Sequence, residues 1–126
     1  MINVKPDILQ ALESNQALVS LLGGSYIYQI RAPVQDNWNA WISFFEFVNV
    51  DDAHADDEPY SSDIRIQVDI WTRDNETRAI STDQIAAEVD KSMKELGFRR
   101  TYSIDFYEED SKIFHKALRY RLSKTF

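Results

Sequence analysis

Ile64, Ile66, Val68 and Ile70 alternate without a break with Arg65, Gln67 and Asp69. That period of two marks a β-strand with one face in a core and the other turned away from it. A slip of one residue in the pairing would turn all four aliphatics to water, so burial fixes the register. The rest of the chain must supply strands to pair with this one and a layer to cover it.

Trp41 to Val50 is rich in aromatic and β-branched residues, and strict alternation predicts Ile42, Phe44, Val48 and Val50 on one face and Trp41, Phe45 and Phe47 on the other. With both faces apolar, this strand is expected to be largely covered. Phe98 to Tyr107 and Lys112 to Leu122 read as two further strands, joined by Glu108 to Ser111. In the second, Phe114, Leu118, Tyr120 and Leu122 share a face opposite His115, Arg119 and Arg121. Tyr26 to Ile30 reads as a short strand that Ala32-Pro33 ends.

Pro6 suits a first helical turn, and Ile8, Leu9, Leu12, Leu18, Val19 and Leu22 follow at helical spacing up to Gly23-Gly24. Ser14-Asn15 can act as a fresh N-cap, so one helix or two short ones satisfy the pattern. A main helix is expected from Asp74 to Leu96, beginning near Asn75 or Thr77, with Ile80, Ile85, Val89, Met93 and Leu96 as its apolar stripe and Gly97 at its end. The order predicts an α+β fold: a small antiparallel or mixed sheet of four or five strands with two main helices packed against it, as one domain over residues 1–126.

With 126 residues, 44% of them hydrophobic, the chain can bury a core without staples, and it has no cysteine for disulfides or thiolate metal sites. No signal sequence or membrane span is expected, and a reducing cytoplasm fits. The net charge of −7, from 14 basic and 21 acidic residues, opposes attraction to phosphate backbones. The charges are segregated. Asp51, Asp52, Asp56, Asp57 and Glu58 fall in one stretch without a base, whereas Lys112, Lys116, Arg119, Arg121 and Lys124 fall in the last segment without an acid.

Catalytic patterns are weak. A nucleophile–base–acid triad would have to use His54 or His115, and neither stands near a glycine-flanked serine. Gly23, Gly24 and Gly97 make no phosphate-binding loop. The acidic stretch with His54 has metal-ligating residue types but lacks the turn glycine and terminal glutamate of a calcium loop, so it reads as a solvated loop; no metal and no cofactor are expected. Glu46, set among aromatics, is expected to be buried against Arg65 or Arg119. Basic and aromatic residues interleave in Phe114 to Arg121, but strand alternation sends them to opposite faces, which argues against a nucleic-acid surface. Trp38, Trp41 and Trp71 read as core or interface residues.

Ile8-Leu9 with Leu12, Leu21-Leu22-Gly23-Gly24 before Tyr26-Ile27-Tyr28, and Ala32-Pro33-Val34-Gln35 together resemble the opening of small phage tail-completion proteins. Ala55-Asp56-Asp57-Glu58, Ile66 to Trp71, Met93 to Phe98 and Phe114 to Tyr120 resemble later segments of the same group. The resemblance implies a tail-completion or tail-to-head joining protein, similar in fold to tail terminators. Such a protein has no enzymatic activity, lies in the tail or neck of the virion, and is made in the host bacterial cytoplasm. The implied partners are the tail tube (major tail) protein and the head-closure or connector protein, with assembly into a hexameric ring.

A ring needs two unlike surfaces on each subunit. The charge segregation supplies a pair: an acidic loop of Asp51, Asp52, Asp56, Asp57, Glu58 and Tyr60, and a basic face of Arg119 and Arg121. Two other classes compete: a small cation-dependent hydrolase using residues 51–58, and an acidic inhibitor. The latter would spread its carboxylates over a folded face rather than concentrate them in one loop.

Overall fold

The computed structural model describes residues 3–52, 61–74 and 80–125. In chain order the elements are α1 (Lys5–Ser14), α2 (Gln16–Leu22), β1 (Ile27–Gln29), β2 (Ala40–Asp52), β3 (Ser61–Arg73), α3 (Thr82–Glu95), β4 (Arg99–Glu108) and β5 (Ile113–Thr125). The strands form one sheet in the order β1-β2-β3-β5-β4, with β1 parallel to β2 and every other pair antiparallel. The α+β fold expected from the sequence is present as a five-stranded mixed sheet under helices.

Local chemistry explains the breaks. Asn15 ends α1 and caps α2: its Oδ1 accepts from the Leu18 N–H at 3.0 Å, while its Nδ2 donates to Ser92 Oγ at 3.0 Å and to the Glu88 carbonyl at 3.2 Å. One side chain thus turns the chain and ties the turn to α3. Gly97 ends α3 at φ 93°, a left-handed conformation glycine accepts, with the Phe98 N–H bonding back to the Met93 carbonyl at 3.0 Å.

The main helix starts at Thr82, with Asp74 and Ile80 outside it; Asn75 and Thr77, where the periodicity sets its start, lie outside the described residues. Its N-cap is Ser81, whose hydroxyl accepts from the Gln84 N–H while the Gln84 side chain accepts from the Ser81 N–H. This reciprocal pair satisfies two otherwise unpaired donors and sets the first turn at Thr82. Ile80 lies before the cap and packs against the core.

The helices pack on one face of the sheet. Ile64, Ile66, Val68 and Ile70 are fully buried there, under Ile8, Leu12 and Leu18 of α1 and α2 and Ile85, Val89 and Met93 of α3. The second strand departs from strict alternation. A bulge between Glu46 and Val48 inserts Phe47, so Asn49 rather than Val48 pairs with Ile64, and Val48 and Val50 turn to the face away from the helices. Around the bulge the strand is only partly covered, with Phe47 38% and Val50 53% exposed and Val48 and Asn49 half-buried. Glu46 stays on the helix side opposite Ile66 and accepts from Asn49 Nδ2 at 3.1 Å; Arg65 and Arg119 lie on the other face and are not its partners.

Charges also cross the helix–sheet boundary. Lys116 is buried and bridges Asp105 at 2.8 Å and Asp83 at 3.1 Å. Burial pulls its pKa down, but the two carboxylates outweigh burial and hold it above the usual lysine value. The buried Tyr120 hydroxyl donates to Asp90, which also pairs with Arg100 at 3.3 Å. Burial first, and then that bond, push the phenol far above its ordinary range.

Candidate docking surfaces

Opposite the helices, pairing aligns side chains in rows across the sheet. One row is aromatic: Trp41 stacks on Trp71 at 6.2 Å between centroids, Trp71 on His115 at 4.7 Å, and His115 on Phe106 at 5.3 Å. Trp38, brought in by the connection between β1 and β2, stacks on Tyr28 at 5.5 Å and tilts against Trp41. All three tryptophans therefore serve the protein's own packing. Asp69 is buried beneath this row and accepts from Gln67 Nε2 at 2.9 Å, with His115 Nε2 2.8 Å away on the same oxygen. These contacts offset the cost of taking a carboxylate out of water.

Past the row of Ser43, Asp69, Ala117 and Ile104 comes that of Phe45, Gln67, Arg119 and Tyr102. Arg119 donates to Gln67 Oε1 at 3.1 Å, and its guanidinium carbon lies 5.1 Å from the Phe47 ring centroid and 5.3 Å from that of Tyr102. Beyond it comes Val48, Arg65, Arg121 and Arg99. Asp63 joins two of these arginines, accepting from Arg65 Nη2 at 3.0 Å and from Arg121 Nε at 3.1 Å.

β4 forms the outer edge of the sheet and is exposed along its length except at Ile104, leaving Tyr102 and Phe106 each 46% open to solvent. Exposed aromatics set between arginines have the composition of protein-binding hot spots.

Little here resembles a catalytic centre. Ser43 pairs with Asp69 on β3, and β3 lies between β2 and β5, so the carboxylate stands between the serine and His115, whereas a triad needs the imidazole in the middle. Among the described residues no three His, Asp or Glu side chains gather into a group able to hold a metal ion. No helix among them is long and apolar enough to cross a membrane.

The acidic loop is divided. Asp51 and Asp52 close β2 opposite Ser62 and Ser61, with Ser62 Oγ donating to Asp51 at 2.9 Å. Asp56, Asp57, Glu58 and Tyr60 lie outside the described residues, as does His54. Arg119 is exposed on the outer face, and Arg121 is half-buried in its pair with Asp63. Sequence reasoning missed Arg65 and Arg99 as their neighbours, because only the strand register brings the four together.

Asp63 makes a pH prediction. Hydrogen bonding from Arg65 first, and from Arg121 as well, holds its carboxyl below the usual carboxylate range. A depressed folded pKa contributes stability above the ordinary value of about 4 and loses it as pH falls through the folded value. Urea midpoints measured from pH 5 down to about 2 are therefore expected to fall less steeply for Asp63→Asn than for the natural chain.

A one-sided α+β sheet of this kind also occurs in virions. A chain of a solved structure titled "Virion of native gene transfer agent (GTA) particle" superposes with a TM-score of 0.67 over 94% of this chain and 92% of that one, at 13% identity. The family model for tail completion protein gp17 matches residues 6–123, and the chain belongs to that family. It is a structural protein of the phage tail and virion, which places it in oligomeric assembly with other tail and head proteins. A search of curated proteins gives no match.

Proposed function

We propose that the protein completes the phage tail and joins it to the head-closure complex as a hexameric ring, contacting the tail tube protein on one side and the head-closure or connector protein on the other. The observation that carries this reading is family membership across nearly the whole chain. The sheet supports it: aromatics and arginines stand exposed on a face the helices leave open. Specific ring contacts would bury roughly 1,000 Å² or more. The function needs binding and no catalytic step. No observation favours the cation-dependent hydrolase or the acidic inhibitor.

The acidic loop is the docking element at the end of the β2–β3 hairpin, and Arg119 and Arg121 belong to the surface that receives it. Asp56→Lys combined with Asp57→Lys is expected to lower the yield of joined heads and tails at least about tenfold without unfolding the subunit. Particles counted by electron microscopy check this. Normal joining and normal rings in the double variant would contradict the role of the loop.

A further inference from the structure

Resting on the ring reading, we infer that the outer-face arginines Arg65, Arg121 and Arg99, with Arg119 beside them, form the seat for the acidic stretch Asp51–Glu58 of a second copy of this chain. Pairing sets Arg65 directly opposite Arg121, and Arg121 directly opposite Arg99, on three adjacent strands. Like charges in register across strands destabilise a sheet, so the folded monomer gains little from this arrangement. Asp63 offsets part of the repulsion by accepting from two of the arginines. The two neighbouring rows thus set four guanidinium groups on one face, and Asp63 bonds only two of them, in a protein whose net charge is −7.

The patch is open to a ligand. The side chains of Arg65 and Arg121 remain 41% and 40% exposed while bonded to Asp63, and Arg99 and Arg119 are exposed. Phe47 and Tyr102 flank Arg119 and supply apolar surface that can exclude water from an ion pair. Asp63 holds two of the guanidinium forks in place, so an arriving carboxylate meets donors already oriented.

Arginine forks accept carboxylate and phosphate alike. The chain's acidic balance opposes a long-range approach to DNA. Every subunit carries a concentrated run of carboxylates, Asp51, Asp52, Asp56, Asp57 and Glu58, with no lysine or arginine among them. The arginines belong to β3, β5 and β4 and the acidic residues to a separate run of sequence, so a subunit that gives its stretch to one neighbour can receive the other neighbour's around a closed ring.

Charge exchange between copies tests this. One variant carries Arg99→Glu and Arg119→Glu, which leaves the Asp63 pairs intact; the other carries Asp56→Lys and Asp57→Lys. Each is added, alone and in an equal mixture, to heads and unfinished tails from a strain lacking this gene, after circular dichroism has confirmed folding. Each alone is expected to lower joining at least about tenfold. The mixture is expected to restore it, because reversed and natural surfaces alternate around the ring. Full activity of the arginine variant alone would overturn the proposal. So would a mixture as inactive as its parts while the natural protein forms rings, whether the patch then retained duplex DNA or the loop's effect lay within one subunit. Natural protein that joins particles without a ring would overturn the ring reading itself, a separate result.

Discussion

Phe44→Ala is expected to destabilise the protein by about 3–5 kcal/mol, the usual cost of emptying an aromatic site in a closed core. Phe44 is fully buried, paired with Val68 and enclosed by the helical layer. For a domain of this size the loss corresponds to a fall in melting temperature of roughly 10–20 °C. The same truncation at Phe47, three positions along the strand, is expected to cost less than about 1 kcal/mol, because that ring lies on the open face and is 38% exposed. Similar losses at both sites in urea unfolding would show that Phe47 is as deeply packed as Phe44, against its place on the open face.

Asn15→Ala is expected to cost about 2 kcal/mol. Loss of an N-cap accounts for about 1 kcal/mol, and the two bonds to α3 account for the remainder at roughly 0.5 kcal/mol or more each. The cap bond is local, whereas the bonds to Ser92 and the Glu88 carbonyl cross more than seventy residues of chain. Asn15→Asp keeps the acceptor for the cap and removes the donor, so it is expected to cost about 1 kcal/mol, half of the loss for alanine. A change below about 0.5 kcal/mol for Asn15→Ala, measured by chemical denaturation, would show that the α1–α2 turn holds without its clasp.

The core of the fold was legible because it rests on alternation and spacing. Ile64 to Ile70 announced a strand, Pro6 and Gly23-Gly24 bounded the first helical region, and the last two strands stand where their apolar periodicity set them, each extended at its end. The misplaced features depend on single local decisions. Nothing in the run from Phe44 to Val50 marks Phe47 as the inserted residue, since every position there except Glu46 and Asn49 is apolar and either phase fits. That one insertion moved Val48 and Val50 to the open face. Strand register likewise decided that Glu46 meets Asn49 rather than an arginine.

The start of α3 was legible and was misread. Ser81 followed three residues later by Gln84 is a capping signature, but the periodicity that includes Ile80 drew the expected start upstream. Of the docking surfaces, sequence reasoning reached the acidic stretch and the two arginines of the last strand. It did not reach Arg65 and Arg99, which lie distant in sequence and become neighbours of Arg121 only when β3, β5 and β4 pair. Charge segregation along a chain can be read directly, whereas charge assembly across a sheet requires the register.

The central claim is that subunits of this family member close into a six-membered ring between tail tube and head-closure complex. Cryo-electron microscopy of tails finished with the natural protein, averaged at the head-proximal end, tests it most directly. The predicted result is one ring of six copies seated on the last layer of the tube, present on joined particles and missing from tails made without this gene. Joined particles whose tube ends carry no such ring, or tails that join heads equally well without the protein, would contradict it.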